Sequence, residues 1–171
     1  MESTSSTSSP LNATHDCVVP FLFEQLDIRG AWVNLHQAWA GLTHDRRYPL
    51  RIAQLLGEMS AVSALIAANL KQPGRMTFQL KGEGPVNLLV LDCDEQLRLR
   101  GMARWQESVT LPEDTPGLLG QGNLLLSLDA VGMRQPYQSL VPLEGDSLAS
   151  IFEHYLTHSE QQPTRLALAA D

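Results

Sequence analysis

A chain of 171 residues, 43% apolar and 18% charged, has the length and composition of one globular domain, large enough to bury a core without staples. Its formal net charge of −7 argues against general binding to nucleic-acid phosphates, though it leaves room for a local basic face. The two cysteines, Cys17 and Cys93, lie far from any C-x-C or C-x-x-C pair, so no thiolate zinc motif, redox pair or disulfide framework is read here, and a reducing cytoplasm fits.

Residues 1–19 read as a flexible tail. Their first ten are rich in Ser and Thr, with neither the basic start nor the apolar stretch of a secretory signal. No run of apolar residues is judged long enough to span a membrane. Residues 21–27 and 30–35 read as extended, with a bend at Arg29-Gly30. A short helix over 35–45 carries Trp39 and Leu42. Tyr48-Pro49 then opens the strongest helix, about 50–71. Ile52, Leu55, Leu56, Met59, Val62, Ile66 and Leu70 recur at spacings of three and four and mark one apolar face. Pro73-Gly74 stops it.

Strands follow. Over 75–81, Met76, Phe78 and Leu80 alternate with Arg75, Thr77, Gln79 and Lys81, the pattern of a sheet with one wet face. Residues 86–91 are almost wholly apolar and read as a central strand. In 97–105, Leu97, Leu99, Ala103 and Trp105 oppose Arg98, Arg100, Met102 and Arg104. These three strands predict an antiparallel meander. Residues 107–122 read as a long Pro- and Gly-containing connection, and 123–129 with 137–143 as a strand pair. Asp146 is the expected N-cap of a second helix, about 146–160, with Leu148, Ile151, Phe152, Tyr155 and Leu156 on its apolar face. Residues 164–170 read as a last strand. The expected fold class is α+β, mostly antiparallel sheet packed with a few helices.

Candidate chemistry is sparse. His154 and His158 lie four apart on the second helix, a spacing used by zinc sites, but no third ligand or H-E-x-x-H pattern accompanies them. In an enzyme or small-ligand module they, with Asp146 and Glu160, are the first suspects. Gly117, Gly120 and Gly122 precede a strand rather than open a helix, so they read as turn residues, not a phosphate loop. Arg75, Lys81, Arg98, Arg100 and Arg104 are placed on the meander's wet face as a candidate polyanion stripe. No aromatic residues interleave with them to stack bases, and Trp105 falls on the opposite face. Asp92, Asp94 and Glu95 around Cys93 disfavour a thiolate nucleophile, and Ser60, Ser63 and Ser147 have no catalytic histidine nearby in sequence.

Three stretches together carry a family resemblance. They are Asn34-Leu35 with Leu55-Leu56-Gly57-Glu58; Gln79-Leu80-Lys81-Gly82-Glu83-Gly84-Pro85 with Arg100-Gly101-Met102-Ala103-Arg104; and Leu143-Glu144-Gly145-Asp146-Ser147-Leu148-Ala149 with Tyr155-Leu156, Ser159-Glu160-Gln161 and Pro163-Thr164-Arg165. From about residue 21 to 171 the chain resembles the N-terminal, client-binding domain of the thirty-three-kilodalton heat-shock protein family, bacterial redox-regulated holdase chaperones. The resemblance implies a domain at 20–171 that holds unfolded proteins without ATP, in a cytoplasmic homodimer, with neither membrane nor nucleic acid as a partner. It implies no catalytic residues and no cofactor in this chain. The family's zinc belongs to a C-terminal module built on C-x-C and C-x-x-C pairs. The chain lacks those pairs, so a truncated chain separated from its redox switch is the expectation. Which residues touch clients is not legible from the pattern.

Overall fold

The computed structural model describes residues 15–70 and 72–171; of the expected tail, residues 1–14 lie outside them. The strands are β1 (Cys17–Phe23), β2 (Ile28–Asn34), β3 (Gly74–Gly82), β4 (Val86–Cys93), β5 (Leu99–Trp105), β6 (Gly122–Ala130) and β7 (Tyr137–Pro142). The helices are α1 (Gln37–Thr43), α2 (Leu50–Ala68), α3 (Thr115–Leu119) and α4 (Leu148–His158). β1 and β2 make a two-stranded antiparallel sheet, and the other strands make a five-stranded antiparallel sheet in the order β5-β4-β3-β6-β7. The α+β expectation and the meander both hold.

The core lies between α2, α4 and one face of the large sheet. Alternation along β3 sends Met76, Phe78 and Leu80 inward, where all are buried. The Phe78 ring meets Phe152 of α4 edge-on at 5.0 Å between centroids, and Tyr155 edge-on at 6.5 Å. Ile52, Leu55, Leu56, Met59 and Val62 of α2 are all buried in the same cluster. By length and composition α2 is apolar enough to cross a membrane, contrary to the sequence reading, and it serves here as the spine of that core.

Several expected features move. β1 begins at Cys17, inside the expected tail, and Asp16 just before it accepts hydrogen bonds from the backbone N–H groups of Gln37 (2.7 Å) and Ala38 (2.8 Å). The hairpin turns at Glu24–Leu26 and Asp27, whose φ of 51° is left-handed, whereas Arg29 and Gly30 sit inside β2. Gly30 marks a close approach, because a Cβ there would enter the Phe21 ring opposite. Within the expected loop 107–122, Asp114 caps the short α3 by accepting from the Gly117 N–H at 2.7 Å. Ser147, not Asp146, caps α4: it and Ser150 exchange side-chain-to-backbone hydrogen bonds in a capping box. Residues 164–170 alternate between half-buried and exposed, yet no strand pairs with them. Leu166 and Leu168 instead pack on the core, and the Leu166 N–H donates to Glu153 Oε1 at 2.7 Å.

Candidate functional site

The helices cover one face of the five-stranded sheet, and the opposite face is open. Register arranges its outward side chains in rows across the strands. One row runs Arg100, Asp92, Thr77, Ser127, Gln138. The next runs Met102, Val90, Gln79, Leu125, Leu140, and a third runs Arg104, Leu88, Lys81, Asn123, Pro142. The middle row is apolar at four of five positions, and Leu88 widens it. None of these five apolar side chains belongs to the core or packs against it, and Leu140 is 64% exposed. Adjacent strands lie ~4.8 Å apart, so the row is an apolar band across the face of the sheet, interrupted on the central strand by Gln79.

The polar row beside the band is internally tied. Asp92 accepts from Thr77 Oγ1 at 2.6 Å and from Arg100 at 3.0 Å. Desolvation pushes its carboxyl up, but those two hydrogen bonds with the charges of Arg100 and Arg75 hold it below the usual range. Arg98 stands in the turn before β5 and pairs with Asp94 at 2.7 Å. Arg104 donates to Asn87 Oδ1 at 3.0 Å. Four of the five proposed polyanion residues therefore share the outward face, but Arg75 and Arg100 lie on one side of the apolar band and Lys81 and Arg104 on the other. They do not form an unbroken stripe. Trp105 lies on the inner side, against Tyr48, as expected.

The suspects for an enzyme or metal site separate. The His154 and His158 rings stack at 4.0 Å, with Glu144 Oε2 3.7 Å from His154 Nε2. Glu160 is engaged elsewhere, accepting from Tyr155 Oη at 2.6 Å and Tyr137 Oη at 3.4 Å. Burial first, then the bonded Glu160, pushes the Tyr155 phenol well above its usual range. Asp146 does not join either group. Among the described residues no cluster of three or more His, Cys, Asp or Glu side chains is placed to hold a metal ion. Ser60 and Ser63 donate to the carbonyls of Leu56 and Met59 one turn earlier. Cys93 is fully buried, and its thiol is pushed up to about 11 by desolvation and the Asp94 charge.

Sequence reasoning missed the apolar band. A signal was present: residues 88–91 and 124–126 are apolar at consecutive positions, which in a strand places apolar groups on both faces. Helices cover only one of those faces. The N-terminal hairpin is a second exposed apolar surface, with Phe21, Phe23 and Trp32 all about half exposed.

Residues 16–171 match the family model described as Hsp33 protein. The 33 kDa chaperonin of Shewanella sediminis is 40% identical over 152 residues, covering 88% of this chain and 52% of that protein. That of Enterobacter sp. is 38% identical over 154 residues, covering 90% and 52%. The crystal structure of the 33 kDa chaperonin homologue of Thermotoga maritima superposes with a TM-score of 0.75 at 24% identity, over 85% of this chain and 52% of that one, a likeness of fold. The chain thus spans about half the length of these relatives.

Proposed function

The chain belongs to the Hsp33 family, and from that premise we propose that it is a chaperone module of the holdase type, acting without ATP in the cytoplasm as a homodimer. The observation that carries the reading is the apolar band of Leu88, Val90, Met102, Leu125 and Leu140 on the uncovered face of the five-stranded sheet. An unfolding protein exposes apolar segments that aggregate. Laid on this band, such a segment removes apolar area from water on both sides, at roughly 25 cal/mol per Å². The contact needs no nucleotide and no reacting group. The charged residues flanking the band keep the loaded surface soluble and leave its centre to side chains of no particular sequence.

Neither cysteine supports a switch in this segment, since Cys93 is buried and neither cysteine is paired. Client binding by this chain is therefore independent of redox state. Light scattering from a heat-aggregating client tests the reading. The wild-type chain lowers the scattering equally under reducing and oxidising conditions. Leu125→Asp with Leu140→Asp, both outside the core, weakens that protection several-fold. Scattering unchanged by the wild-type chain in both conditions would sink the proposal.

A further inference from the structure

We propose that the free edge of β7 takes up an extended polypeptide segment as an added antiparallel strand; this rests on the holdase reading above and names the form in which a client is held. The occupant is fixed by the hydrogen bonds that the edge leaves open. The Leu143 N–H donates to the Gly122 carbonyl at 3.0 Å. Hydrogen-bonded pairs recur at every second residue of an antiparallel ladder, so Val141, Ser139 and Tyr137 exchange bonds with Leu124, Leu126 and Leu128 of β6. The N–H and C=O groups of Gln138 and Leu140 therefore point away from β6, and β7 is the last strand of the sheet. Pro142 closes this run: it has no N–H, and its carbonyl accepts from the Glu144 N–H at 3.1 Å. The complement of a donor and an acceptor on each of two alternate residues is another extended backbone.

The two edges of the sheet differ. β5 carries Arg100 and Arg104, and Tyr48 Oη accepts from the Ala103 N–H at 3.2 Å. Charge and cover of this kind keep an edge from pairing. β7 has no charged residue. The apolar band meets the same edge, because Leu140 ends the band and is also one of the two residues with open backbone groups. Opposite residues of an antiparallel pair share a face, so the client residue bonded to Leu140 sets its side chain on the open face and lengthens the band by one position. The residue bonded to Gln138 falls on that face two positions along. Intervening residues turn to the inner face beside Ser139 and the half-exposed Tyr137, whose hydroxyls suit polar side chains. The preferred segment is thus extended, apolar at alternate positions and without proline at those positions. Backbone bonds hold it whatever its sequence, and the band selects its phase.

Fluorescence anisotropy of a labelled, end-capped peptide of about eight residues, alternating valine with serine, tests the mode. The wild-type chain binds it. Methylating every valine nitrogen removes the donors that face β7 and weakens binding on the order of 20-fold, as for two lost hydrogen bonds. Methylating every serine nitrogen, which faces away, leaves binding within about twofold. Gln138→Pro removes one donor from the chain without touching the β6 ladder or the band, and weakens binding about fivefold or more. Gln138→Ala keeps the N–H and binds as the wild type does. If Gln138→Pro fails to fold, the two methylated peptides decide alone. Equal binding of the two methylated peptides, full binding by a folded Gln138→Pro chain, or no peptide binding by a wild type that still lowers client scattering overturns the added strand and leaves the holdase reading standing on the band. Absence of both peptide binding and client protection overturns both. A proline variant that loses self-association but binds peptide fully gives the edge to a second copy instead.

Discussion

Ser147 and Asp146 are neighbours at the start of α4, and either could cap it by residue type. The backbone decides: Ser147 is extended, with φ −147° and ψ 164°, and its hydroxyl accepts from the Ser150 N–H at 3.2 Å while Ser150 Oγ accepts from the Ser147 N–H at 3.0 Å. Ser147→Ala is expected to cost about 1 kcal/mol in urea unfolding, and Asp146→Ala to stay within about 0.5 kcal/mol as an exposed surface change. Equal losses would restore Asp146 as the cap. Cys93 supplies a pH dependence. Its ordinary value is 9.0, and in the fold it is pushed up to about 11. Between those values the unfolded chain has lost a proton that the folded chain keeps, so stability falls as pH rises past 9 and is unaffected by this group below it. Tyr155 is shifted in the same direction and adds to the loss at higher pH. The urea midpoint should therefore drop between pH 8.5 and 10.5, and less steeply in Cys93→Ala. At neutral pH, iodoacetamide should label the half-buried Cys17 and spare Cys93 until denaturant is added.

At the scale of elements, legibility followed the source of each pattern. α2 was readable because Ile52, Leu55, Leu56, Met59 and Val62 are all needed by one core, and their helical spacing reports that directly. β3 to β5 were readable for the same reason at period two. Residues 164–170 show where period two misleads: alternation reports alternating burial, and here Leu166 and Leu168 are half-buried against the core without a strand to pair with. The hairpin bends at residues 24–27 and not at Arg29-Gly30, because Gly30 is a strand residue whose missing Cβ makes room for the Phe21 ring. α3 was concealed by its glycines and prolines, although Asp114 followed by Pro116 is a readable helix start. The consecutive apolar residues signalled apolar groups on both faces, but not which face stays uncovered. Val90 on the open face and Leu89 on the buried face are adjacent and alike. Only the placement of α2 and α4 tells which is covered.

For the whole molecule, the same sheet meets two demands. Its inner face closes a core around Phe78, and its outer face carries apolar residues with no layer over them among the described residues, a combination that weakens neither role because successive strand residues point apart. The charges outside the band raise the competing reading, that the outward face attracts polyanions through Arg75, Lys81, Arg98, Arg100 and Arg104. Ionic strength separates the two. At 1 M salt the screening length falls to about 3 Å, so attraction between exposed charges is lost, while burial of apolar area is undiminished. Arg98 and Arg100 are already paired with Asp94 and Asp92, and the chain as a whole is negative by 7, both of which oppose anionic partners. Client protection by this chain is therefore expected to change less than about twofold between low salt and 0.5 M sodium chloride, read as the chain-to-client ratio that halves the scattering. A steep loss of protection over that range, restored by dilution of the salt and abolished by Arg100→Gln with Arg104→Gln, would move the site from the apolar band to the cations beside it.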